Sequence, residues 1–177
     1  MPITLISACD KNKAIGVNNK LLCHLPNDLK HFKETTQNSI CIMGKNTYHS
    51  IIDQLGKPLP NRTTIVLSSD TSYVPPYHLN PDVYVYNSVD ALLNDYRNHG
   101  NVEDDIFICG GEITYKAFLP YADRIILTII DHKFENADTY FPEFDLKEYS
   151  VTSHKRYEKD EKNPYNHSIV TYERFNK

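Results

Sequence analysis

Short apolar runs rich in β-branched residues recur along the chain, and several lead into segments whose apolar positions repeat at helical spacing. Residues 3–8 predict a strand, followed by a long irregular stretch over 10–24. Leu25, Leu29 and Phe32 share one helical face behind Pro26, a residue suited to a first turn, so 25–36 predict a helix. Strands are expected over 39–43, 62–68, 83–86 and 106–109, with helices over 45–55, 88–100 and 113–119. Ser88 is placed to cap the third helix, with Asp90 in its first turn and Gly100 at its end. Beyond Pro120 the pattern changes to three strands, 124–131, 149–157 and 167–175, with no helix between them. Alternating strands and helices imply a parallel sheet covered on both faces, and the closing run adds antiparallel strands at one edge. The expected architecture is α/β: a mostly parallel central sheet of about eight strands with an antiparallel C-terminal edge, flanked by about four helices.

At 177 residues a single domain over 1–177 is expected, with no repeat, low-complexity tract or linker. The formal charge of −4 gives no basic footprint, so nucleic acid is not an expected partner. No run reaches the roughly 18 apolar residues of a membrane span. Ile6-Ser7-Ala8-Cys9 resembles a lipoprotein cleavage site. It lacks a basic leader and only eight residues precede the cysteine, so it reads as strand. Cys9, Cys23, Cys41 and Cys109 are scattered, as free thiols in a reducing cytoplasm would be. The eight histidines show no metal-ligand spacing, so no metal is expected.

Two strand–glycine–helix junctions carry the first candidate chemistry. Gly44 precedes Lys45-Asn46-Thr47, and Gly110-Gly111 precede Glu112-Ile113-Thr114. Each places free N–H groups at a helix start beside the carboxyl end of a strand, where α/β proteins hold phosphates. A pair of tight turns would look the same. Neither junction is Gly-x-x-x-x-Gly-Lys-Ser/Thr or Gly-x-Gly-x-x-Gly. Asp28 is the second candidate, an acid on the apolar face of Leu25, Leu29 and Phe32. A first-turn acid is favoured by the helix dipole alone, but a buried carboxylate needs a partner, which a ligand bearing N–H groups could supply. Arg62, behind a stiff Pro-x-Pro loop, is either a solvated surface residue or a bidentate carboxylate binder.

Ala14-Ile15-Gly16, Leu25-Pro26-Asn27-Asp28-Leu29, Ile42-Met43-Gly44-Lys45-Asn46-Thr47-Tyr48 and Pro58-Leu59-Pro60-Asn61-Arg62 occur in that order. They are followed by Ile65-Val66-Leu67-Ser68-Ser69, Gly110-Gly111 with Tyr115, Leu127-Thr128 and Asp138-Thr139-Tyr140-Phe141-Pro142. Together these segments resemble the dihydrofolate reductases over nearly the whole chain. The resemblance implies NADPH-dependent reduction of dihydrofolate by a cytoplasmic monomer, with antifolates as inhibitors. It implies that Asp28 is the catalytic carboxylate, holding the pterin 2-amino group and N3–H, with Thr128 in the same network. Ile6, Ala8, Leu29, Phe32, Ile51, Leu59, Cys109 and Tyr115 would complete the substrate site, and Arg62 would take the α-carboxylate of the glutamate tail. For the cofactor it implies Ala8, Ile15, Gly16, Gly44, Lys45, Asn46, Thr47, Leu67, Ser68 and Ser69. Gly110, Gly111, Glu112, Ile113, Thr114 and Tyr115 complete that set, and 10–24 would be the mobile loop over the nicotinamide. The chain departs from the family at Cys23, where a tryptophan is usual, and at Ile113, where some members carry an arginine. A same-fold reductase of the deazaflavin or riboflavin pathways would lack the Asp28–Arg62 pairing, and a folate- or nucleotide-binding protein would show no turnover.

Overall fold

The computed structural model describes residues 2–101 and 103–175. Its strands are β1 (Ile3–Cys9), β2 (Ala14–Gly16), β3 (Ile40–Gly44), β4 (Thr63–Leu67) and β5 (Val83–Tyr86). They continue with β6 (Ile106–Ile108), β7 (Arg124–Ile130), β8 (Thr139–Tyr140), β9 (Tyr149–Tyr157) and β10 (His167–Arg174). Four α-helices, α1 (Pro26–Thr35), α2 (Lys45–Leu55), α3 (Val89–His99) and α4 (Glu112–Phe118), lie among them. Eight strands form one sheet in the order β5-β4-β3-β6-β1-β7-β10-β9, and β2 pairs with β8 apart from it. The strands from β5 to β7 run parallel, whereas β10 is antiparallel to both β7 and β9.

Burial follows from position in that order. Central β1 is buried at Ile3, Thr4, Leu5 and Ile6, because helices cover both faces of a parallel sheet. Edge strand β9 is exposed from Val151 to Arg156 and carries the charges that discourage further pairing. Alternation sorts the core into two sides. Ile42, Ile65, Ile108 and Leu127 pack with Leu92 and Phe118 on one side. Cys41, Met43 and Val66 pack with Tyr48, and Ile6, Phe107, Ile126 and Ile169 with Phe32, on the other. Each such aliphatic side chain contributes about 1.5–3 kcal/mol on burial.

Helix ends follow local chemistry. The Ser88 side chain accepts from Ala91 N–H at 3.1 Å and starts α3. Gly56, at φ +70°, stops α2, with its N–H on the Ile52 carbonyl. The 10–24 stretch is more ordered than its pattern implies, since it contains β2. A three-residue strand with an irregular register is too short to leave a period-two signal. No helix among the described residues is long and apolar enough to cross a membrane.

Candidate active site

The carboxyl ends of β1, β3, β4, β6 and β7 bring Ala8, Gly44, Leu67, Cys109 and Thr128 to one end of the sheet. Helix α1 crosses that end with Asp28 in its first turn. Thr128 Oγ1 donates to Asp28 Oδ1 at 2.5 Å. Thr128 is fixed because β7 sits between two partners, with Ala8 on one side and Ile169 on the other. Burial raises the Asp28 carboxyl above the ordinary carboxylate value, against the opposing effects of the Thr128 hydrogen bond and the nearby His31 and His167. Leu25 is buried and Phe32 half-buried, but Leu29 is 41% exposed, so the apolar face inferred around Asp28 is narrower than its spacing implies. Leu29 lies at the rim, because α1 covers the cleft and leaves one flank to solvent.

The start of α1 is held by a feature that the sequence pattern conceals. Asn163, 3% exposed, accepts the Asn27 N–H at 2.9 Å, and Asp160 in turn accepts from the Asn163 backbone and side chain. A separation of 136 residues leaves no local signal for that contact. His31, three residues after Asp28 on α1, shares its side of the helix, whereas His167 is unremarkable in sequence and only tertiary packing brings it near Asp28.

Ala8, Ile15, Leu22, Cys23 and Leu29 surround the cleft beside Asp28. The 10–24 segment is pinned at several points. Asp10 accepts the N–H groups of Asn12, Ala14 and Phe134 at 2.8–2.9 Å. Asp138 accepts from Asn18 N–H at 2.8 Å and donates its own N–H to the Gly16 carbonyl at 3.1 Å. Across the cleft, Ser50 Oγ on α2 donates to the Asn19 carbonyl at 3.1 Å. Gly16 is required by space, since a Cβ there would lie 2.9 Å from Thr139 Oγ1.

The two glycine junctions meet. Gly44 N–H donates to the Gly110 carbonyl at 2.8 Å, and a Cβ on Gly44 would lie 3.0 Å from Thr114 Oγ1. Gly110 sits at φ +114°, joined to Gly111 by a cis peptide bond. Neither α2 nor α4 has a side-chain cap at its start, which leaves first-turn N–H groups facing the groove. Lys45 and Asn46 are exposed and Thr47 half-buried, while Lys45 Nζ lies 4.9 Å from the Tyr73 ring centre. Leu67 and Ser68 are half-buried at the end of β4, with Ser69 exposed. Thr114 and Tyr115 are buried, and Tyr115 Oη donates to the Ile6 carbonyl at 2.7 Å. The Glu112 carboxylate is turned to the Tyr140 N–H at 3.0 Å, leaving its backbone on the groove side, and Ile113 is 83% exposed.

Arg62 is neither solvated nor free. It is 5% exposed, with Nε donating to Thr36 Oγ1 at 2.8 Å, Nη1 to the Pro60 carbonyl at 2.6 Å and Nη2 to the Lys33 carbonyl at 2.9 Å. Of five guanidinium donors, one on each terminal nitrogen remains. Ile6, Phe32 and Cys109 pack together, and Cys109 also packs with the cluster that holds Ile51 and Leu59.

A family model described as dihydrofolate reductase matches residues 2–174. Dihydrofolate reductase of Bacillus subtilis (strain 168) is 39% identical over 175 residues, 98% of this chain and 95% of that protein. The Staphylococcus aureus (strain MSSA476) dihydrofolate reductase is 35% identical over 170 residues, 96% of each. The solved structure of dihydrofolate reductase from Enterococcus faecalis, complexed with NADP(H) and RAB-propyl, is similar with a TM-score of 0.85 and 36% identity. That similarity covers 99% of this chain and 97% of the other.

Proposed function

The chain belongs to the dihydrofolate reductase family, and we propose that the cleft between α1 and the 10–24 segment is where it performs the family's reaction. The reaction is the NADPH-dependent reduction of 7,8-dihydrofolate to 5,6,7,8-tetrahydrofolate, which feeds one-carbon metabolism. The observation that carries the placement is the Asp28–Thr128 pair, a carboxylate held by a hydroxyl at the inner end of an otherwise apolar cleft.

The Gly44–Gly110 approach leaves a groove that a Cβ on Gly44 would crowd, with uncapped helix starts on both sides, and this arrangement fits a dinucleotide phosphate chain. Gly44, Lys45, Asn46, Thr47, Gly110 and Gly111 would hold the phosphates, Leu67, Ser68 and Ser69 the adenosine end, and Ala8, Ile15 and Gly16 the nicotinamide. Bound NADPH supplies the hydride that pterin C6 receives, while N5 gains a proton. Asp28 accepts hydrogen bonds from the pterin 2-amino group and N3–H, and its negative charge raises the basicity of the ring. Thr128 fixes the carboxylate, and the segment anchored by Asp138 and Ser50 excludes bulk water while admitting the water that protonates N5. Arg62 turns its two remaining donors to the tail carboxylate. The same reading makes the chain one domain, monomeric and cytoplasmic, and open to antifolates that present similar donors to Asp28. A crystal of the protein with folate and NADP+ tests the placement. The expected result is the pterin 2-amino group within hydrogen-bond distance of Asp28, and a pterin bound elsewhere overturns it.

Two substitutions probe the walls. Gly44→Ala brings a methyl 3.0 Å from Thr114 Oγ1 and strains the approach to Gly110, so NADPH affinity is expected to fall about ten-fold or more, equivalent to 1.4 kcal/mol. Fluorescence titration with NADPH measures it, and unchanged affinity contradicts the cradle. Cys23 is half-buried in the cleft wall where relatives of this family usually carry tryptophan. An aromatic there removes roughly 150–250 Å² from water, and even a third of that is worth about 1–2 kcal/mol. Cys23→Trp is therefore expected to tighten dihydrofolate binding about ten-fold in the presence of NADPH, whereas unchanged or weaker binding contradicts it.

A further inference from the structure

Cys41 takes no part in the reaction above, and Cys109 only lines the substrate site, yet the fold sets the two on one face of adjacent strands. On the adjacent parallel strands β3 and β6, Cys41 lies opposite Phe107. Cys109, two residues on, therefore projects from the same face as Cys41. Both pack in the cluster of Met43, Tyr48 and Val66, close enough for each thiol to shift the other's ionisation, while Cys109 Sγ donates to the Phe107 carbonyl at 3.6 Å. The Arg62 guanidinium lies near both, and the Thr36 hydroxyl that it holds lies near Cys41. Proximity to Cys109, aided by Arg62 and Thr36, pulls the Cys41 thiol below its ordinary value, while Cys41 and burial push Cys109 up. Thr64, opposite Cys41 on β4 and 1% exposed, adds a hydroxyl with no hydrogen-bond partner to the same row. Cys41 is fully buried, whereas Cys109 is half-buried and also packs with Ile6 and Phe32, so the pair opens towards the cleft.

Geometry separates the chemistries open to such a pair. Strand spacing and rise set a two-residue diagonal at roughly 8 Å between Cα atoms, beyond the about 7 Å that a disulfide spans. A bridging atom bonded to both sulfurs relieves that limit. Thiolates select soft centres, but among the described residues no group of three His, Cys, Asp or Glu is placed around a metal. The positive charge of Arg62 also opposes a bare cation. A trivalent arsenical brings its own third substituent and leaves a neutral adduct.

We propose that Cys41 and Cys109 form a two-sulfur capture site for trivalent arsenicals at the floor of the substrate cleft. With an organic arsenoxide, two As–S bonds form as both S–H bonds and the As=O bond break. The oxygen leaves with the two protons as water, and no oxidation state changes. The adduct places its organic group against Ile6 and Phe32, where it excludes substrate.

The test treats the intact protein with one equivalent of phenylarsine oxide, alkylates the remaining thiols after unfolding, and maps the modified peptides by mass. The expected result is one arsenical per chain, with Cys41 and Cys109 protected and Cys9 and Cys23 alkylated. Release is expected with a dithiol and not with an equal concentration of a monothiol, and saturating dihydrofolate should slow capture at least ten-fold. Cys41→Val and Cys109→Ser should each abolish the dithiol-reversible adduct. Protection of Cys9 or Cys23 instead, release by a monothiol, capture indifferent to dihydrofolate, or retention by Cys41→Val would each overturn the proposal. Mapping of the wild type does not depend on either variant folding.

Discussion

Asp28→Asn is expected to fold and bind NADPH while losing roughly 30- to 1,000-fold in dihydrofolate turnover at pH 7. A charge-assisted hydrogen bond that strengthens in the transition state is worth about 2–4 kcal/mol, and asparagine removes the charge while keeping the shape. The same variant is expected to be the more stable protein without ligand. Burial raises the folded-state pKa of Asp28, so the native state holds a proton that the unfolded chain has released above about pH 3.9. Stability therefore falls as pH climbs from that value through the raised pKa, and stays lower above it. Asparagine never ionises, so its advantage grows across the same window. At neutral pH an increase in Tm of about 2–4 °C would report about 1 kcal/mol. Steady-state kinetics and thermal melts from pH 4 to 8 check both halves. Wild-type turnover in the variant contradicts the role of the carboxylate, and a lower Tm contradicts the cost of its burial.

Arg62→Leu is expected to weaken dihydrofolate binding about 30-fold or more and also to destabilise the fold. The first effect follows from losing a buried cation opposite the tail carboxylate, a loss of about 2–5 kcal/mol. The second follows from Thr36 Oγ1 and the Lys33 and Pro60 carbonyls, which all lose their donor. Thr36 Oγ1 is the buried acceptor of the three, and leaving it unpaired costs about 1–3 kcal/mol, so a fall in Tm of about 2 °C or more is expected. The two effects separate with a pterin that lacks the glutamate tail. At a temperature where the variant is folded, that ligand should bind nearly as tightly as it does to the wild type. Equal loss for both ligands would confine Arg62 to holding α1 against the 57–62 loop.

The elements legible in sequence are those whose signal is local and long enough. Ser88 and Gly100 bracket α3 because capping chemistry depends on neighbours three or four residues away. The eight-strand sheet is legible because buried parallel strands read as unbroken β-branched runs. β2 and β8 are not, since three and two residues cannot show a period and their pairing spans more than 120 positions. In the candidate site, spacing alone marks Asp28 as an acid on an apolar face, but the exposure of Leu29 depends on how α1 tilts over the sheet. The burial of Arg62 was hidden for a similar reason. Its partners are mostly backbone carbonyls, which every residue carries and no pattern reveals. Asn163 and His167 reach the site only through tertiary packing, whereas His31 sits one helical turn from Asp28 and is readable from spacing.

The reaction and its place are tested most directly by mixing the purified protein with NADPH and following the nicotinamide absorbance as limiting dihydrofolate is added. One NADPH should be consumed for each dihydrofolate supplied, with slower consumption of NADH and almost none by Asp28→Asn at pH 7. Stable absorbance, with both ligands shown by titration to be bound, would contradict the account and leave a binding protein in place of a reductase.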